Sequence, residues 1–232
     1  MRNGLLVMGC AAVLAAAACG SGSGADARRE PAAAPVIAAR PPAKAVSRPR
    51  VVVLGDSLTA GLGLPEDEAY PSLLQQKIDA AGFDYEVVNA GVSGDTSAGG
   101  LSRLDWALDG DVRFLIVALG GNDGLRALPA DELRQNLSAI IERAQARHIG
   151  VVLAGMEAPR NFGRDYDVQF HRVYPELARK YGIPLVPFLL QDVAGIDRLN
   201  QRDGIHPTEE GARIVADNVW TVLEPVLAAA KS

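Results

Sequence analysis

The sequence predicts an α/β fold: a three-layer, doubly wound sandwich around a five-stranded parallel sheet. Three observations predict it. Short runs of β-branched and other apolar residues recur five times, and segments with helical spacing lie between them. Polar, glycine-rich clusters follow the first three runs, as expected where strands of an open α/β sheet end at a ligand crevice.

The first strand is Arg50–Gly55, RVVVLG, a buried-strand pattern that ends on glycine. The others are Tyr85–Asn89, Arg113–Leu119, Gly150–Ala154 and Ile183–Pro187. Leu73, Leu74, Lys77 and Ile78 begin the first helix, and Leu101, Leu104 and Leu108 mark the second. Leu133, Leu137, Ile140, Ile141 and Ala144 mark a third, a fourth covers Val168 to Tyr181, and the last carries Ile214, Val215, Val219, Leu223 and Val226. No repeat of 20–50 residues interrupts this pattern.

Composition supplies the core. Hydrophobic residues make up 48% of the 232 against 22% charged, and aromatics at 5% leave the filling to Val, Leu, Ile and Ala. The domain is expected over residues 50–230. Ahead of it, Arg2 and the apolar run Gly4–Ala18 read as a signal peptide over residues 1–18, because the run is too short to span a bilayer. Ala16-Ala17-Ala18-Cys19 followed by Gly20–Gly24 resembles a bacterial lipoprotein cleavage site, with Cys19 as the lipidated residue. The same residues fit the Ala-x-Ala pattern of ordinary secretion, so two products stand open: a membrane-anchored periplasmic lipoprotein, which is favoured, or a soluble exported protein.

Cys10 lies inside the apolar run, so the mature chain holds no intramolecular disulfide. Residues 19–49 are an Ala/Pro/Gly-rich tether. Residues 20–50 carry six Lys/Arg and two Asp/Glu, whereas residues 51–232 carry 16 and 26, a net of −10. An acidic globular part argues against nucleic acid as a partner.

Four clusters carry the chemistry. They are Gly55-Asp56-Ser57-Leu58, Asn89-Ala90-Gly91 running on to Thr96, Gly120-Gly121-Asn122-Asp123-Gly124, and Asp203-Gly204-Ile205-His206-Pro207 just before the last helix. Acyl transfer needs a nucleophile, a base, a group that holds the base, and donors for the oxyanion. Ser57 stands where a strand turns into a helix. His206 is the base, and Asp203 reaches its Nδ1–H through a turn at Gly204. Pro207 suits a helix start. Ser57 N–H, Gly91 N–H, which no side chain would screen from substrate, and the Asn122 amide are the oxyanion donors.

Each residue has a plainer reading. Gly, Asp and Ser are ordinary turn residues, and Gly-Asp-Ser-Leu alone would be weak. Asp56 and Asp123 read as structural carboxylates that fix the loops. His148 reads as a helix-end cation and His171 as a packing or surface residue. Three histidines without ligand spacing give no metal site, and neither a phosphate-binding loop nor any cofactor motif is present.

The four clusters, in this order, resemble the GDSL, or SGNH, hydrolases: Ser in Gly-Asp-Ser-Leu, a Gly, an Asn in Gly-x-Asn-Asp, and Asp-x-x-His. The likeness continues through Ser93-Gly94-Asp95-Thr96 and Leu119–Arg126, strings similar to the branch of bacterial arylesterases and acyl-CoA thioesterase/lysophospholipase enzymes. It covers about residues 50–228. It implies a flavodoxin-like sheet and a monomeric esterase or thioesterase that needs no cofactor. The expected substrates are small acyl compounds: aryl esters, acyl-CoA or lysophospholipid. It also implies that the Ser93–Thr96 loop moves and shapes the acyl site. Asn161 and Phe162, in Pro159–Arg164, are similar to that branch's substrate-side loop. Two other readings stand beside this one: a polysaccharide deacetylase or acyltransferase on the same fold, and a non-catalytic acyl-binding envelope lipoprotein.

Overall fold

The structure is a computed structural model that describes residues 48–231. The expected signal peptide, Cys19 and the tether lie outside the described residues, except the tether's last two positions, Arg48 and Pro49. Arg48 is bound to the domain: its guanidinium is 2.7 Å from Asp79 and 3.0 Å from Asp84.

Five parallel strands form one sheet in the order β2-β1-β3-β4-β5, where β1 is Arg50–Gly55, β2 Glu86–Gly91, β3 Val112–Ala118, β4 Gly150–Ala154 and β5 Leu185–Val186. Val51–Leu54 of β1 are buried on both faces, which explains their unbroken apolar run. The helices are α1 (Ser57–Ala60), α2 (Tyr70–Ala80), α3 (Ser97–Ser102), α4 (Leu104–Ala107), α5 (Gly121–Leu125), α6 (Ala130–Ala146), α7 (Arg164–Tyr181) and α8 (Glu209–Lys231). One helical layer pairs α2 with α8, and the other packs α6 against α3 and α7. In α6 the buried positions Leu133, Leu137, Ile140, Ile141 and Ala144 form a single stripe, while Asp131 and Glu132 favour its N-terminal end.

Several expected boundaries move. β2 runs two residues past Asn89, because Ala90 and Gly91 continue the ladder with Leu54 and Gly55. β5 shrinks to two residues, paired only with the end of β4. The helix expected through Leu101, Leu104 and Leu108 breaks at Arg103, whose side chain turns inward to Gly55 and Asp95. Pro207 does not start the last helix: it bridges to Asn200, and α8 begins two residues later. Among the described residues no helix is long and apolar enough to cross a membrane.

The register matters for the site. Gly55 pairs with both Gly91 and Ala118, so the loops that leave β1, β2 and β3 emerge level with one another. The order of winding across the sheet reverses here, with β2 on one side of β1 and β3 on the other, which makes the crevice of a doubly wound sheet.

Candidate active site

Ser57 is the first residue of α1. Asp56 turns the chain out of β1 and caps the helix, its Oδ1 accepting from Leu58 N–H at 3.0 Å. At a first helical position the Ser57 N–H has no carbonyl within its own helix to bind.

The last loop brings its residues to the same point. Gly204 takes the left-handed conformation at φ +71°, and the turn folds Asp203 back over the chain that follows. Asp203 Oδ1 accepts from the backbone N–H groups of Ile205 (2.9 Å) and His206 (3.0 Å). Its Oδ2 lies 2.6 Å from His206 Nδ1, and His206 Nε2 lies 2.8 Å from Ser57 Oγ. Gln201 ties this loop to the chain after α1, donating to Leu62 and Pro207 carbonyls. The bond to His206 and two backbone N–H groups hold the Asp203 carboxyl down to about 2. A carboxylate in this state can hold the imidazole as its Nδ1–H tautomer, with Nε2 turned towards Ser57 Oγ.

Asn122 lines the same cleft as Ser57, and Gly91 pairs with Gly55 at the end of β1, but the donors of both are occupied. Gly91 N–H donates to Asn89 Oδ1 at 3.0 Å. A side chain at Gly91 would put its Cβ 2.2 Å from the Ala60 backbone nitrogen. The missing side chain therefore makes room for α1. Asn122 Nδ2 donates to the Asp95 carbonyl at 2.9 Å and to Asp56 Oδ2 at 3.3 Å. Burial pushes the Asp56 carboxyl up to about 6, against the pull of the Leu58 N–H.

The Ser93–Thr96 loop is held from three sides. Asp95 pairs with Arg103 at 2.6 Å, Arg126 donates to the Gly94 carbonyl at 2.9 Å, and Thr96 caps α3. Asp123 is structural, as expected: it receives both the hydroxyl (2.5 Å) and the N–H (2.8 Å) of Ser97. His171 is an exposed surface residue, 2.8 Å from Glu157. His148 is the left-handed residue that closes the turn after α6.

A cleft of about 340 Å³ opens beside Ser57 and His206. Its walls are mainly apolar, with Leu58, Leu125, Met156, Phe188, Leu190 and Ile205 among them. Asn161, Phe162 and the four residues Ser93, Gly94, Asp95 and Thr96 do not line it. Phe162 instead packs edge-on against Tyr166. Sequence reasoning missed Met156, Phe188 and Leu190. They follow β4 and β5 directly, so the strand-end rule that located the polar clusters could also have found them. Among the described residues no group of three or more His, Cys, Asp or Glu side chains is placed to hold a metal ion.

Such a site can perform nucleophilic acyl transfer, and known proteins resemble it. The profile of the GDSL-like Lipase/Acylhydrolase family matches residues 53–214. Esterase TesA of Pseudomonas aeruginosa is 43% identical over 178 residues, covering 76% of this chain and 89% of that one. Thioesterase 1/protease 1/lysophospholipase L1 of Escherichia coli K12 is 36% identical over 185 residues, covering 79% and 88%. The crystal structure of AlinE4, an SGNH-hydrolase family esterase, superposes with a TM-score of 0.65 at 42% identity, covering 81% of this chain and 98% of that one.

Proposed function

The chain belongs to the GDSL-like lipase/acylhydrolase family and is an esterase/thioesterase, and we propose that it works through a Ser57–His206–Asp203 triad on small acyl esters and thioesters. The observation that carries this reading is the continuous relay Ser57 Oγ–His206–Asp203, with steps of 2.8 and 2.6 Å.

Ser57 Oγ attacks the carbonyl carbon while His206 Nε2 takes its proton. Asp203 stabilises the imidazolium through Nδ1–H. The tetrahedral oxyanion receives Ser57 N–H, Gly91 N–H and Asn122 Nδ2. The last two must exchange bonds now made to Asn89 and to Asp95 or Asp56. His206 then gives its proton to the leaving alkoxide or thiolate, and the acyl group stays on Ser57. Water, activated by the same imidazole, attacks the acyl-enzyme and restores the serine.

The apolar cleft beside the nucleophile supports acyl chains as the group recognised, and aryl esters, acyl-CoA and lysophospholipid as the substrates. The names of the relatives, esterase and thioesterase/lysophospholipase, support esters, thioesters and lysophospholipid. The N-terminal pattern supports export and a lipid anchor at Cys19, with the domain in the periplasm. A mature chain that begins at Cys19 and carries added lipid mass establishes the anchor, and one that begins elsewhere refutes it.

The test of the catalytic reading is labelling by a fluorophosphonate, followed by hydrolysis of acyl esters and acyl-CoA across chain lengths. Wild type labels and turns over, and Ser57→Ala does neither. Unlabelled wild type that is inactive on every substrate, acetylated glycans included, leaves an acyl-binding protein without catalysis.

A further inference from the structure

Three of the five residues in Gly120-Gly121-Asn122-Asp123-Gly124 are glycine. Such a segment has little stiffness of its own and orders at a high entropic cost. An oxyanion donor, by contrast, works best when it is fixed before the reaction begins. Asn122 must also leave Asp95 or Asp56 to reach an oxyanion, so its backbone has to stay still while its side chain turns. The restraint has to come from elsewhere in the fold.

Helix α7 supplies it. Aromatics are only 5% of the chain, yet Phe162, Tyr166, Phe170 and Tyr174 stand in one row, with successive ring centroids 5.8, 5.9 and 6.0 Å apart. The last three recur at every fourth residue and so share one face of α7. Two of them carry hydroxyls, and these take carbonyls on either side of Asn122. Tyr174, wholly buried, donates to the Leu119 carbonyl at 3.0 Å, and the half-buried Tyr166 donates to that of Leu128 at 2.8 Å. The Leu128 N–H in turn binds the carbonyl of Asp123, the residue after Asn122, at 2.9 Å. Burial lifts both hydroxyls above the ordinary tyrosine range, so both remain donors at neutral pH.

The glycines let the segment lie flush against this row. A Cβ at Gly120 would fall 2.0 Å from the Tyr174 hydroxyl oxygen, and one at Gly124 would fall 3.2 Å from Phe170 Cζ. The first position has no room for a side chain, and the second has room only if the ring shifts.

We propose that Tyr166 and Tyr174 are positioning residues for the reaction. Their hydroxyls clamp the two ends of residues 119–128 and so hold the Asn122 amide where the oxyanion forms. Neither residue lines the cleft, so both act through Asn122 and not on substrate. The proposal rests on the acyl-hydrolase reading of the site, and it gives α7 a task in turnover besides packing.

Tyr174→Phe and Tyr166→Phe keep the rings and delete the hydroxyls. The full chain is used, with active sites counted by fluorophosphonate titration so that unfolded protein does not enter the rate. Each change should lower kcat for a short aryl ester on the order of tenfold and leave KM within about twofold. In an Asn122→Ala background the same changes should cost less than about twofold, since no donor remains to be misplaced. Amide hydrogen exchange in residues 119–128 should quicken in both variants. A packing role alone would lower Tm but not kcat per titrated site, and its effect would not depend on Asn122. Wild-type kcat per site in both variants overturns the proposal, as do tyrosine losses that multiply in full with that of Asn122→Ala. If Tyr174→Phe does not fold, Tyr166→Phe alone decides. Wild type that neither labels nor turns over strikes the triad reading instead. The exchange rates are read without catalysis, and if they stay unchanged they overturn the clamp by themselves.

Discussion

Asn122 Nδ2 donates to the Asp95 backbone carbonyl at 2.9 Å, which joins the cluster after β3 to the cluster after β2. The other amide hydrogen points to Asp56 Oδ2 at a stretched 3.3 Å. The donor proposed for the oxyanion is thus already aimed across the Ser57 loop, with its weaker bond to spare. Asn122→Ala should lower kcat by about 10²- to 10³-fold while KM for a short aryl ester changes only a few-fold. Steady-state kinetics separates the two parameters, and a change confined to KM would remove Asn122 from the oxyanion site.

Asp203 has two tasks on two oxygens. Oδ1 receives the N–H groups of Ile205 and His206, and Oδ2 holds His206 Nδ1. Asparagine can keep the first task through its carbonyl oxygen, so Asp203→Asn should fold with its turn intact. Its amide nitrogen would instead face Nδ1 and favour the wrong imidazole tautomer. The expected loss in kcat is about 10³- to 10⁴-fold with an unchanged circular dichroism spectrum. A variant within tenfold of wild type would show that Asp203 is not the orienting group.

Two carboxyls at the site move in opposite directions, and the consequences differ in sign. The Asp203 carboxyl lies at about 2, below its ordinary 3.8, so its contribution is present above about pH 4 and is lost only as pH falls towards 2. Loss of activity in mildly acidic buffer therefore does not come from Asp203. Asp56 is pushed up to about 6, so between about pH 4 and 6 the folded protein holds its proton more tightly than the unfolded chain does. Ionising it as pH rises through that window works against the fold. Asp56→Asn escapes this, and its stability relative to wild type should improve between pH 4 and pH 7 by on the order of 2–3 kcal/mol. Chemical denaturation at both pH values measures the difference. A gap that stays constant would mean that Asp56 is not the buried titrating carboxyl.

Where the sequence was legible, one physical cause dominated. Val51–Leu54 could be read because burial on both faces leaves an unbroken apolar run, the stripe of α6 because burial on one face leaves a helical period, and the Asp203–His206 pair because a three-residue turn limits what each side chain reaches. The break at Arg103 was hidden by Leu101, Leu104 and Leu108, which keep helical spacing across it while the arginine turns inward. The direction of the Phe162 ring, which packs on Tyr166 outside the cleft lining, was not legible because family likeness fixes a loop's position in the chain and not where its side chains point. The double commitment of Asn122 depends on a carbonyl 27 residues away, and no local pattern announces that.

Two glycines of the site separate steric need from conformational need. Ala at 91 keeps the N–H but drives its Cβ into the backbone of Thr59 and Ala60, at 2.7 and 2.2 Å from the nearest atoms. These are backbone atoms, which no side-chain rotation can clear, so α1 must move, and Ser57 moves with it. Gly91→Ala should lose at least about two orders of magnitude in turnover and about 1–3 kcal/mol of stability. Ala at 204 meets nothing within 4 Å and suffers only from the left-handed φ of +71°. That strain costs roughly 1–2 kcal/mol, or a few degrees in Tm, and leaves the Asp203–His206 turn formed. Turnover of Gly204→Ala should stay within about tenfold of wild type. Melting curves and aryl-ester kinetics on both variants decide the matter. Because the N–H survives in Gly91→Ala, its lost activity reports displacement of Ser57 and not deletion of an oxyanion donor. If Gly204→Ala proved the more damaging for catalysis, the close approach of β2 to α1 would not be what positions the nucleophile.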